Sequence, residues 1–151
     1  KQMNQNDRTD ILQEFCDLCS RVGLKVTTPR LAVYRYMKDN TEHPKVDKVW
    51  EGVKRELPTI SRETVYRVLN DLASHDVIRL LDPADVTARY DASVQRHDHF
   101  FCSQCGRVYD FTVPDLPDLV QAQAETLGRI DYVEVRAYGV CRQCLDMSKE
   151  E

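Results

Sequence analysis

Residues 61–91 read SRETVYRVLNDLASHDVIRLLDPADVTARYD. Ser61 is a favourable N-cap, because its hydroxyl can accept from a free N–H of the first turn. Val65, Val68, Leu69 and Leu72 then recur at helical spacing and make one apolar stripe. At 100° per residue, Arg62, Glu63, Tyr66, Arg67 and Asn70 fall on the other side. An exposed tyrosine between two arginines near a helix N-terminus can lie in a DNA major groove. Arginine reaches guanine or phosphate, and the tyrosine ring packs on a thymine methyl. A solvated face carrying an ordinary surface tyrosine has the same pattern, so the helix alone leaves both readings open. The next segment of chain decides between them. Val77 to Leu81, a turn at Asp82-Pro83-Ala84-Asp85, and Thr87 to Asp91 predict a β-hairpin. A helix of this kind with a hairpin behind it is a winged helix-turn-helix, with this helix as the reader.

Upstream, three more helices are predicted. Residues 10–22 place Ile11, Leu12, Phe15, Leu18, Cys19 and Val22 on one face, and Gly23 ends that helix. Thr28 as N-cap with Pro29 behind it starts a second helix that runs to about Lys38. Val46, Val49, Trp50, Val53 and Leu57 mark a third, stopped by Pro58. Downstream the pattern changes. Short strands are expected at 97–101 and 107–112, a helix over 115–127 ending at Gly128, and a strand over 131–138. The fold class is therefore α+β. A winged helix-turn-helix DNA-binding domain occupies 1–85, and a small α/β dimerisation and metal-binding domain occupies 86–151, with a hinge at about 82–91.

Composition agrees. At 151 residues the chain suffices for one ordinary domain or two small ones, and 42% hydrophobic with 30% charged residues is a normal soluble balance. The net charge of −4 hides an asymmetry: residues 1–81 carry 14 Lys and Arg against 12 Asp and Glu, and residues 82–151 carry 7 against 13. A mildly basic first half suits a nucleic-acid reader. No apolar run approaches a membrane span and no secretory signal opens the chain, so a cytoplasmic location is expected. An enzyme is not expected, because no nucleophile motif appears and nothing marks a substrate pocket. A zinc-stapled interaction module would not need the Arg62, Tyr66 and Arg67 face.

All six cysteines fall in C-x-x-C pairs. Cys102/Cys105 and Cys141/Cys144 each come after a predicted strand, and four thiolates from two tight turns fit a closed tetrahedral zinc site. Such a site is structural, because no coordination position stays open. Cys16/Cys19 lies on or beside the apolar face of the first helix and reads as a pair of small core residues.

His97 and His99 cannot join the thiolates. Strand alternation puts His97, His99 and Phe101 on one face and Asp98, Phe100 and Cys102 on the other. If Cys102 and Cys105 oppose one another across the hairpin, His99 faces Val108 and His97 faces Asp110, which brings Asp110 to the histidine face. Two imidazoles and a carboxylate leave positions to fill, and His43 and Asp91 are candidates. Nitrogen and oxygen donors without thiolate suit Fe(II), Mn(II) or Zn(II).

The stretches TPRLAVYRYM (28–37), EHPKVDKVW (42–50), SRETVYRVLNDL (61–72), ARYDA (88–92), HDHFFCSQCGRVYDF (97–111) and YGVCRQC (138–144) together resemble the ferric uptake regulator family of bacterial metal-dependent repressors. The resemblance implies a DNA-binding winged helix and a dimerisation domain, working as a homodimer on a palindromic, A/T-rich double-stranded operator. It implies a structural Zn(II) on Cys102, Cys105, Cys141 and Cys144, and a regulatory Fe(II) or Mn(II) on His43, Asp91, His97, His99 and Asp110. The tyrosine matching Tyr66 reads the operator. Iron sensors of the family usually carry Glu where this chain has Asp110, so the resemblance is strongest to the peroxide-stress branch. There peroxide oxidises a ligand histidine and DNA is released, and His43 and His97 match the oxidisable positions. Arg67 resembles the iron sensors instead, which keeps iron sensing, and behind it zinc sensing, as alternatives. A further site of some iron sensors is not carried over, because its positions hold Arg96 and Val133.

Overall fold

The computed structural model describes residues 5–81, 88–93 and 96–148. It divides into two compact units, Lys1–Val94 and Gln95–Glu151. The expected turn at 82–85 and most of the expected hinge, including the break at 85/86, lie outside the described residues.

In the first unit, the stripe on 61–74 forms helix α4 (Arg62–Ser74), and the Ser61 hydroxyl accepts from the Thr64 N–H at 3.1 Å. Val65, Val68, Leu69 and Leu72 are all buried, as their spacing requires. Each such side chain contributes about 1.5–3 kcal/mol of apolar transfer. Three helices precede it: α1 (Gln5–Val22), α2 (Thr28–Met37) and α3 (Val46–Val53). Phe15 and Cys19 of α1 are buried in the shared core, whereas Leu12, placed on that face by periodicity, is exposed.

Two helix ends differ from expectation. The cap of α2 is Thr27 rather than Thr28, with Thr27 accepting from the Arg30 N–H. This cap leaves Pro29 at a first-turn position whose missing N–H is not needed. Helix α3 stops at Val53, four residues before Leu57, although the Leu57 N–H still bonds the Val53 carbonyl at 2.9 Å. Gly52 explains the close packing of α3 on α2. A Cβ there would sit 1.9 Å from the Tyr36 ring.

The hairpin is β1 (Arg79–Leu81) and β2 (Arg89–Asp91), antiparallel with Leu80 opposite Tyr90. Both strands pack with the helices: Tyr90 is fully buried, and its hydroxyl donates to the Asn70 side chain on α4 at 3.1 Å. Asn70 is thus half-buried and tied to the wing rather than part of the open face.

The second unit is a three-stranded sheet in the order β4-β3-β5. Strand β3 (Asp98–Cys102) runs antiparallel to β4 (Val108–Phe111) and parallel to β5 (Arg136–Gly139). The helix expected over 115–127 is split into α5 (Leu116–Gln121) and α6 (Ala124–Leu127), and α7 (Arg142–Met147) comes after β5.

The expected strand over 131–138 is shortened to 136–139, for a visible reason. Buried Asp98 accepts from the N–H of Val135 at 2.9 Å and of Val113 at 2.9 Å, while Arg96 donates to the carbonyls of Val133 and Val113. Side chains thus take the Val135 N–H and the Val133 carbonyl, while the Val135 carbonyl still accepts from the His99 N–H at 3.0 Å. Burial pushes the Asp98 carboxyl up, but those two N–H groups and the Arg96 guanidinium outweigh it and hold it below the usual range.

Candidate metal centre

The second unit has one cluster of buried apolar residues among those described, and it consists of cysteines. Cys102, Cys141 and Cys144 form it, with Phe100 packed against them. Cys102 closes β3, Cys105 sits in the turn, Cys141 caps α7 and Cys144 lies within α7. Gly106, at φ +68°, lets the chain turn back into β4.

The four Sγ atoms lie within 4.8 Å of one another. Cys102 to Cys144 is 4.0 Å and Cys105 to Cys141 is 3.8 Å. A tetrahedron with Zn–S of about 2.3 Å needs sulfurs about 3.8 Å apart, so the set fits zinc, and it is far too open for a disulfide. The N–H groups of Cys105 and Cys141 point at the Cys102 sulfur and pull its thiol down to about 6. Burial, and then the neighbouring sulfurs, push Cys144 up to about 12. Four thiolates crowded together oppose ionisation unless a cation joins them.

The nitrogen and oxygen donors divide between the two units. In the first, His43 sits at φ +49°, a backbone conformation uncommon outside glycine. The wing holds it there. Arg89 donates to the His43 carbonyl at 3.0 Å, the Tyr90 N–H bonds the Pro44 carbonyl at 3.1 Å, and Lys45 bridges to Arg89. Those contacts set the His43 Nε2 3.9 Å from the Asp91 Oδ1. The same Asp91 oxygen accepts from the Ser93 N–H at 2.8 Å. Both side chains are buried.

In the second unit, His97 and His99 share the face expected for them, with ring centroids 4.6 Å apart. The register differs by two residues from the expected one: His99 pairs with Asp110, and Phe101, not His99, pairs with Val108. The turn is longer than a Cys102–Cys105 pairing allows, because Cys102 bonds across to Arg107. A two-residue shift keeps every side chain on its face. Asp110 therefore still reaches the histidines, with Oδ1 3.6 Å from the His97 Nε2 and 3.8 Å from the His99 Nε2.

One residue of this constellation is not legible from the sequence. Glu134 Oε1 lies 2.7 Å from the His99 Nδ1. The alternation of Glu134, Arg136 and Tyr138 marks them as one polar face. Nothing in the sequence shows that β5 lies parallel beside β3 and brings that face to His99.

The polar face of α4 is open. Arg62, Glu63, Tyr66 and Arg67 lie on it, with Tyr66 43% exposed, and Arg62 pairs with Asp47 of α3. Among the described residues, no helix is long and apolar enough to cross a membrane.

Comparison with known proteins agrees with the architecture. Residues 21–136 match the Ferric uptake regulator family. The peroxide-responsive repressor PerR of Staphylococcus aureus (strain Mu50) is 29% identical over 136 residues, which cover 89% of this chain and 92% of that protein. The ferric uptake regulator from Francisella tularensis, solved with iron, is 31% identical with a TM-score of 0.69 over 82% of this chain and 96% of that one. The Helicobacter pylori ferric uptake regulator, at 21% identity, shares the fold with a TM-score of 0.75 over 96% of this chain and 97% of that one. This chain belongs to the ferric uptake regulator family of metal-responsive transcription regulators, whose members are not enzymes.

Proposed function

We propose that this protein is a homodimeric, metal-dependent repressor that senses peroxide through an iron site. In this reading His43 and Asp91 from the first unit close with His97, His99 and Asp110 from the second on one regulatory ion. The observation that carries it is the convergence of Asp110 on both histidines, with its Oδ1 under 4 Å from each Nε2. Imidazole and carboxylate donors without thiolate suit Fe(II) or Mn(II), while the four cysteines hold structural zinc. Fe(II) held by these residues would supply the redox chemistry that activates peroxide; overall, the peroxide would act as two-electron oxidant, pass one oxygen to a ring carbon of His43 or His97, and leave as water.

Arg62, Tyr66 and Arg67 read the operator, a double-stranded, A/T-rich palindrome. The second unit pairs two copies: Leu119, Leu127, Tyr138, Leu145 and Met147 are all more than 45% exposed on a small unit with little other core. Two reading helices must meet two half-sites about one DNA turn apart, so a small change in their pose is enough to abolish binding. Inside the first unit the link is short. Asp91 is the next residue after Tyr90, and Tyr90 holds Asn70 of α4. The proposed setting is the cytoplasm.

Peroxide sensing is favoured by Asp110 and by the S. aureus relative. Iron sensing is the second reading, supported by Arg67 and by the F. tularensis regulator solved with iron.

Tyr66→Ala tests the DNA-reading claim. With Mn(II) present, fluorescence anisotropy on a palindromic promoter fragment is expected to show roughly 5- to 150-fold weaker binding, since a lost base contact costs about 1–3 kcal/mol. Melting temperature and zinc content stay at wild-type values. Unchanged affinity would remove α4 as the reader.

A further inference from the structure

We propose that Glu134 is a positioning residue for the regulatory metal. Its carboxylate accepts a hydrogen bond from the Nδ1–H of His99 and thereby leaves Nε2 of that ring as the metal-binding nitrogen. The proposal rests on the regulatory site proposed for this protein.

The sheet places His99 between two acids. His99 is on the central strand, opposite Asp110 on β4 and opposite Arg136 on β5. Glu134 is two residues before Arg136 and so shares its face. On one side of the imidazole, Glu134 Oε1 is 2.7 Å from Nδ1. On the other, Nε2 looks toward Asp110 Oδ1 at 3.8 Å, the same oxygen that lies 3.6 Å from the His97 Nε2. His99 is fully buried, so each ring nitrogen must be answered by the protein or by an ion it holds.

The contact geometry assigns the roles: at 2.7 Å the Glu134 carboxylate oxygen is placed to accept, and the ring nitrogen facing it to donate. A neutral imidazole has one N–H. Nε2 then presents its lone pair to the side where His97 and Asp110 converge. A carboxylate behind a ligand histidine fixes its tautomer and orientation and makes it a stronger donor.

The backbone around Glu134 is held tightly enough for this task. The Val135 N–H goes to Asp98, the Val135 carbonyl accepts from the His99 N–H at 3.0 Å, and the Val133 carbonyl accepts from Arg96. Glu134 Oε2 accepts from two nitrogens of Arg136, both at 3.3 Å, which fixes the carboxylate plane. Since Oε1 faces Nδ1, Glu134 lies behind the ring rather than among the ligands.

The test uses the full-length, zinc-loaded protein and three variants: Glu134→Ala, Glu134→Gln and His99→Ala. Mn(II) affinity is measured by titration, and ¹⁵N chemical shifts report the His99 tautomer before Mn(II) is added. Wild type is expected to show Nδ1 protonated and Nε2 bare. Glu134→Ala is expected to bind Mn(II) about 10- to 100-fold more weakly and to show mixed tautomers. Glu134→Gln, whose amide oxygen can still accept, is expected to recover the tautomer and most of the affinity. Wild-type affinity and tautomer in Glu134→Ala would overturn the proposal, as would a Gln variant no better than Ala. Loss of Mn(II) binding in His99→Ala alone would confine that failure to Glu134. Unchanged binding in His99→Ala would overturn the regulatory-site reading together with this proposal.

Discussion

Replacing Cys141 by Ser is expected to unfold the second unit. The thiols of Cys102, Cys141 and Cys144 are its one described cluster of buried apolar residues. With so little other buried apolar surface, a unit of under 60 residues relies on a staple to order itself. Structural zinc supplies folding free energy directly, about 10–16 kcal/mol in zinc-finger peptides at neutral pH, more than the whole stability of a typical small domain. The expected result is loss of one zinc per chain, loss of the three-stranded sheet's share of the circular dichroism signal and a monomer in light scattering. The first unit has its own core and should still melt cooperatively, giving one retained transition and one lost. Retention of both transitions in Cys141→Ser would show that the cysteines are ordinary packing residues.

Replacing Asp91 by Ala is expected to abolish metal-dependent DNA binding without unfolding either unit. Asp91 ends β2 and its side chain is buried beside His43, where a negative charge is costly unless a cation or hydrogen bonds answer it. Removing a carboxylate in the proposed direct coordination shell should cost more than the roughly 10- to 100-fold typical of residues behind a ligand. Regulatory-metal affinity should therefore fall by more than about 100-fold, and Mn(II) should no longer strengthen operator binding. Isothermal titration with Mn(II), run beside a melting curve and a zinc assay, checks all three. Metal-stimulated binding that survives in Asp91→Ala would take Asp91 out of the site.

Much of this site is legible in sequence periodicity. The α4 stripe is legible because Val65, Val68, Leu69 and Leu72 leave no other face to bury, and Ser61 marks where the helix begins. The histidine face is legible too, because strand alternation survives a two-residue error in register. The expected pairing of His97 with Asp110 becomes His99 with Asp110, yet both histidines keep that carboxylate within 4 Å.

The features that periodicity does not reach depend on contacts between distant segments. It overestimates the length of β5, because Asp98 takes the Val135 N–H and Arg96 the Val133 carbonyl. It passes over Glu134, whose value comes from lying beside His99, 35 residues away in sequence. The cap at Thr27 rather than Thr28 is a choice between adjacent threonines that only the geometry of Arg30 resolves.

The central claim, a peroxide sensor built on His43 and His97, is tested most directly by mass. The zinc-loaded protein is charged with Fe(II) in one sample and Mn(II) in another, each is exposed to peroxide, and the tryptic peptides carrying His43 and His97 are weighed. One added oxygen is expected on one of these histidines with iron and none with manganese, with loss of operator binding only in the iron sample. Operator binding that tracks Fe(II) while neither histidine gains mass would contradict it and leave an iron-responsive repressor in its place.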